Sequence, residues 1–175
     1  MTIFGPLSRC IALAGLLVSL GAAATPAFAA PADVALLKSY IGEWRGRGTL
    51  TGADTETVVC RLSLKEGNSD KVNYSGRCTL AGTNLAINGT LAYVEASKRF
   101  EAAMTTNATF TGIAVGQKRG NGLAFNLRER DQDEEGKEIN ISANITLSSD
   151  AINVSFEVVY VATGESMRAQ VPFSK

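Results

Sequence analysis

Beyond Ile41 the chain alternates apolar and polar residues with a period of two, as strands with one buried face do. The clearest runs are Val58, Cys60, Leu62, Leu64, then Val72, Tyr74, Gly76, Cys78, Leu80, then Leu85, Ile87, Gly89, Leu91, Tyr93, and Phe100, Ala102, Met104. Later runs are Leu123, Phe125, Leu127, then Ile139 to Leu147, Ile152 to Tyr160, and Met167 to Phe173. Trp44 to Thr51 and Phe110 to Lys118 alternate less regularly and complete a set of ten. Ahead of them, Ala32 to Ile41 carries helical spacing and predicts one short helix. Gly, Asn, Asp and Ser punctuate the gaps, most of which are tight, as at Arg119, Gly120, Asn121, Gly122.

Two cysteines test this pattern. Pairing Cys60 with Cys78 across a hairpin sets Leu62 against Gly76 and Leu64 against Tyr74, and places the turn on Gly67, Asn68, Ser69, Asp70. That register puts both sulfurs and all the apolar positions on one face, which a one-residue slip would not do. A bridge closing a loop of this size contributes about 3 kcal/mol in a chain-entropy treatment.

Successive strands with short connections predict an all-β fold: an antiparallel up-and-down β-barrel of about eight to ten strands with a short N-terminal helix and one disulfide. A two-sheet sandwich is the rival, but it calls for longer crossovers. Arg61, Arg77, Glu101 and Arg128 all fall on the polar parity, so the predicted interior is dry and neutral. Gly46, Gly48, Gly76, Gly89, Ala102, Ala143 and Ala169 fall on the inward parity, where they either leave a cavity for an apolar molecule or relieve crowding between large residues.

The N-terminal stretch changes the picture of where this barrel works. Arg9, an apolar run from Cys10 through Leu20 and the small-residue end Ala27, Phe28, Ala29 read as a secretory signal peptide over residues 1–29, leaving residues 30–175 as a single barrel domain. The run is too short and too alanine-rich for a transmembrane helix, so none is expected after cleavage. Cys10 leaves with the signal, and the remaining pair fits an oxidising periplasmic or secreted location. The whole chain has 17 basic and 17 acidic residues. Losing Arg9 leaves 16 against 17, a balance that gives no electrostatic reason to expect nucleic acid or an anionic membrane as partner.

Chemistry is narrowed by what the chain lacks. It has no histidine, which removes the commonest general base, zinc ligand and proximal haem ligand, and the acids sit in turns or on outward parity. No enzymatic activity, catalytic residue, cofactor or metal site is therefore expected. Asp131 to Gly136 has the acid spacing of a calcium loop, but Ser142 stands where a bidentate Glu belongs, so a solvated hairpin turn is the better reading. Six Asn-x-Ser/Thr triplets, at Asn73, Asn88, Asn107, Asn140, Asn144 and Asn153, read as the polar outer faces of strands and not as glycosylated sites.

Gly42, Glu43, Trp44, following a short helix and opening the first strand, resembles the Gly-x-Trp start of lipocalins and other calycin barrels. That resemblance implies that Trp44 closes one barrel end under a basic residue of the last strand, a role that Arg168 would fill. The continuation GEWRGRG is similar to the opening of nitrobindin-like haem barrels, whose haem ligation cannot carry over without histidine. GEWRGRGTL, VNYSGRCTLAGTNL and FNLRERDQDEEG resemble uncharacterised exported proteins of rhizobia-like alphaproteobacteria, which implies a compartment and a fold but no activity. A fainter likeness links the early Trp and single disulfide to bacterial periplasmic protease inhibitors.

The resulting expectation is a non-enzymatic periplasmic binding barrel for a small apolar ligand, with lumen candidates Trp44, Leu62, Tyr74, Tyr93, Phe125 and Phe156. The alternative is a protein-interaction module, inhibitor-like or envelope-associated, with a filled barrel and an exposed segment such as Ala30 to Lys38 engaging a periplasmic protein.

Overall fold

The computed structural model describes residues 31–80, 82–108 and 110–175. The signal peptide expected over residues 1–29 lies outside the described residues. The helix α1 spans Pro31–Lys38, and ten strands follow: β1 (Gly42–Thr51), β2 (Thr55–Glu66), β3 (Val72–Leu80), β4 (Thr83–Val94), β5 (Arg99–Thr106), β6 (Thr111–Arg119), β7 (Gly122–Gln132), β8 (Glu138–Leu147), β9 (Ala151–Tyr160) and β10 (Ser166–Ser174).

Each strand pairs antiparallel with the next, and β1 pairs with β10, so the meander closes into a barrel. Closure leaves no unpaired edge, which is why ten short amphipathic strands need no second sheet to cover them. The Cys60–Cys78 disulfide forms between directly opposed residues of β2 and β3, and Leu62–Gly76 and Leu64–Tyr74 pair as the hairpin register requires. The turn between these strands holds Ser69 and Asp70 at φ 55° and 61°. The β6–β7 turn is two residues long, with Gly120 at φ 59°, where a side chain would be strained.

The alternation predicted from sequence sorts the side chains cleanly. In β7, Leu123, Phe125 and Leu127 are buried while Asn126 and Arg128 are exposed. One apolar cluster runs through the barrel and continues onto α1 through Leu37 and Tyr40. Asp131 and Gln132 end β7, and Asp133 to Lys137 form the hairpin turn to β8, in which Asp133 Oδ1 accepts hydrogen bonds from the N–H groups of Glu135 and Lys137. The bond from Lys137 in particular holds the Asp133 carboxyl below its ordinary range. That carboxylate serves its own turn.

Several inward glycines sit where a large neighbour needs the room. A Cβ on Gly46 would collide with Val171 and Phe173, one on Gly89 with Tyr74 and the Ala103 carbonyl, and one on Gly116 with Phe125. At these positions the small residue relieves crowding and does not itself leave space.

Candidate functional site

The barrel's two ends differ, and the difference begins with α1. One end collects the start of β1, the β2–β3, β4–β5, β6–β7 and β8–β9 turns and the end of β10. The helix lies across it. Leu37 is fully buried, Tyr40 donates its hydroxyl to the Leu147 carbonyl at 3.4 Å, and the Trp44 indole N–H donates to the Tyr40 carbonyl at 3.0 Å. Lys38 bridges to Glu66 and Asp70 of the β2–β3 turn at 2.8 and 3.3 Å, and those hydrogen bonds, Glu66 foremost, raise its pKa. Lys118 of β6 pairs with Asp33 of α1, the one buried charged side chain among the described residues. Beneath the helix Leu64, Val72, Phe100, Leu123 and Ile152 are buried to within 2 % exposure, so this end is plugged.

The residue that completes the plug is not the one expected. Arg168 faces outward, opposite Thr51 at the far end of β1, and ion-pairs with Glu157 at 2.7 Å, so it has neither the height nor the face to reach Trp44. Lys175, just beyond β10, covers Trp44 instead, with its Nζ 4.9 Å from the ring centroid. Lys118 is a second departure. It stands on the inward parity of β6, which had been expected to be neutral, because at the rim of the barrel the helix supplies a counter-charge.

Further along the barrel the inward side chains remain apolar and their cover is uneven: Val58, Cys60, Leu127, Ile139, Ile141 and Val158 stay buried while others do not. Leu62 of β2, Tyr74 of β3, Met104 of β5, and Val154 and Phe156 of β9 are only half-buried, although all are on the inward parity. At the far rim Leu50, Leu80 and Tyr160 are also half-buried, and Met167 is 37 % exposed. Phe156 is flanked on both neighbouring strands by alanines, Ala143 and Ala169, so nothing bulky shields it sideways. Tyr74 lies over Gly89 and donates its hydroxyl to the Ala103 carbonyl at 3.0 Å, and burial pushes its phenol well above the ordinary range.

The six lumen candidates therefore divide. Trp44 and Phe125 belong to the plug, each 1 % exposed. Leu62, Tyr74 and Phe156 are half-buried, Leu62 directly opposite Trp44, Tyr74 directly opposite Leu64, and Phe156 further along the barrel on β9. Tyr93 lies apart at the plugged rim, edge-on to Phe100 with ring centroids 5.1 Å apart. It lines a surface recess of about 360 Å³ together with Asp33, Lys98, Gln117 and Lys118. A second recess, of about 450 Å³, lies outside the far rim between Arg130 and Val161. Met104 and Val154 were missed as lumen residues, although their inward parity was legible in the sequence.

Segment 30–38, expected to be exposed, is committed in its described part to the barrel through Asp33, Val34 and Leu37. No group of three or more His, Cys, Asp or Glu that could hold a metal occurs among the described residues. No helix of the described residues is long and apolar enough to cross a membrane.

No family model matches the chain, and no curated protein matches it. Among solved structures, the crystal structure of Rv2717c from M. tuberculosis is similar, with a TM-score of 0.65 over 83 % of this chain and 98 % of that one, at 16 % identity. At that identity the likeness establishes the shared barrel architecture and nothing finer.

Proposed function

We propose that this is a non-enzymatic, exported barrel that holds a small apolar ligand in its lumen. The observation that carries the reading is the set of inward-facing apolar side chains left half-buried, Leu62, Tyr74, Met104, Val154 and Phe156, with a Met167 that water reaches. Apolar surface left wet on the inside of a fold is costly, at roughly 25 cal/mol per Å², and an apolar occupant removes that cost. Ten strands also enclose a wider bore than the eight whose side chains just fill a small barrel. A periplasmic location fits the disulfide and the N-terminal apolar run.

The test is equilibrium binding of a fluorescent apolar probe to the delipidated protein. Phe156→Gln is expected to weaken binding about tenfold, since a stranded amide costs roughly 1–3 kcal/mol. Ser155→Ala on the outer face is expected to leave it unchanged. Equal binding by both variants and the wild type, or none at all, would remove the reading.

A further inference from the structure

The outer wall of β1, β2 and β3 carries four arginines that the fold does not use. Register sets Arg45 directly opposite Arg61, and Arg61 directly opposite Arg77. Arg47 stands two residues along β1 on the same face, and all four are exposed. Some cations find carboxylates: Lys38 pairs with Glu66, Arg99 with Glu101, Lys118 with Asp33 and Arg168 with Glu157, while Lys65, Lys71, Lys98, Arg119, Arg128 and Arg130 are scattered without an ion pair among the described residues. The four wall arginines have no such partner among the described residues. The one acid on the outward parity of these three strands is Glu43, whose carboxylate accepts the Ser63 hydroxyl.

Neighbouring strands lie about 4.8 Å apart, so Arg45, Arg61 and Arg77 form a row about 10 Å long. Like charges set directly opposite repel and destabilise a sheet. No ion pair among the described residues offsets that repulsion; an external array of anions would. Val59, 46 % exposed, sits within the patch, directly opposite Arg47 and Thr79.

The barrel has ten strands, so β7 lies diametrically across from β2. Its outward parity carries Arg128 and Arg130, two residues apart along one strand rather than opposed across three, and the acids near them fall on the inward parity (Glu129, Asp131), in the β7–β8 turn (Asp133, Glu134, Glu135) or on β8 (Glu138).

We propose that the β1–β3 wall docks on an anionic phospholipid surface, its guanidinium forks engaging headgroup phosphates while Val59 rests at headgroup level. Arg is suited to this because its planar fork meets two phosphate oxygens at once. The patch is on an open wall away from both recesses, and a spread array of charges around one exposed apolar side chain matches a plane of headgroups better than a single free phosphate compound. This revises the expectation from net charge alone, which gave no reason for such a partner. It does not depend on what the lumen holds.

Co-sedimentation of the disulfide-bonded protein with vesicles tests the proposal, using phosphatidylcholine alone and phosphatidylcholine mixed with phosphatidylglycerol at low salt. The protein is expected to partition onto the anionic vesicles only, and to be released as salt rises. Each arginine near such a surface contributes roughly fivefold, so the combined Arg45→Gln, Arg61→Gln, Arg77→Gln variant is expected to lose about 100-fold. Arg128→Gln with Arg130→Gln, on the opposite wall, is expected to bind as the wild type does. The triple variant's melting temperature should equal or exceed the wild type's, because opposed like charges have been removed, and this separates lost docking from lost folding. Equal partition of triple variant and wild type, or equal binding to neutral vesicles, overturns the proposal. So does a short single-stranded oligonucleotide that binds through these arginines when anionic vesicles do not.

Discussion

Replacing Leu37 by alanine separates the plug from the lumen. Leu37 is fully buried between α1 and the barrel end, at the point where the helix leads into Tyr40 and Trp44. A buried Leu→Ala change costs roughly 2–5 kcal/mol, the upper part of the range applying where the surroundings cannot close on the void. A single-layer helix at a barrel rim can settle inward, so a loss of about 2–3 kcal/mol is expected, and alanine's better helix propensity returns only a few tenths. Against a typical domain stability of about 5–15 kcal/mol, such a loss moves a urea midpoint well beyond error. Trp44, the sole tryptophan, reports from within the plug by its fluorescence. Because Leu37 sits between α1 and the barrel end and not on a strand of the lumen wall, the affinity for an apolar probe should stay within about twofold under native conditions, less than 0.5 kcal/mol. A loss below about 1 kcal/mol would show that α1 does not carry the plug. A parallel collapse of probe affinity would show instead that α1 shapes the ligand's access, against the separation of plug from lumen.

Gly89→Ala should destabilise by about 1–3 kcal/mol in the same urea assay, since the new methyl meets the Tyr74 ring and the Ala103 carbonyl; a neutral result would mean that Tyr74 does not lie over Gly89. Tyr74 and Tyr40 also give stability an alkaline limit, because burial raises both phenols above the ordinary tyrosine range near 10. For groups shifted in this direction the stabilisation is complete below the unfolded pKa near 10 and is lost as pH rises above it, by at most about 1.4 kcal/mol per pH unit per tyrosine. Urea midpoints measured between about pH 8 and 10.5 should fall less steeply for Tyr74→Phe than for the wild type, and an identical slope would contradict the assignment.

The features legible in the sequence were those that short-range pairing dictates. The Cys60–Cys78 register followed from parity and turn chemistry, and it carried Leu62–Gly76 and Leu64–Tyr74 with it. The same register already set Arg61 against Arg77, so part of the arginine row could have been read from the sequence. Net charge concealed it, because a sum over residues discards their positions. Arg45 joins the row only once the β1–β2 pairing is known.

Contacts between strands distant in sequence were not legible. Parity shows that Phe125 and Phe156 both point inward, but not that one fills the space over Gly116 while the other stands between two alanines. The basic residue over Trp44 was sought within the last strand, whereas the chain supplies it from Lys175, its final residue. The ion pair of Lys118, the last residue of the weakly alternating run from Phe110, was not legible either, because its partner Asp33 belongs to a helix whose docking depends on the closed barrel.

Native mass spectrometry of the protein purified from cells with its disulfide intact, followed by organic extraction, tests the central claim most directly. A reproducible extra mass that leaves into the organic phase, and is absent from the Phe156→Gln variant, is the result the lumen reading requires. A bare mass lower by two hydrogens, from protein that also fails to take up an apolar probe, would contradict it and leave a barrel whose work is done on its outer wall.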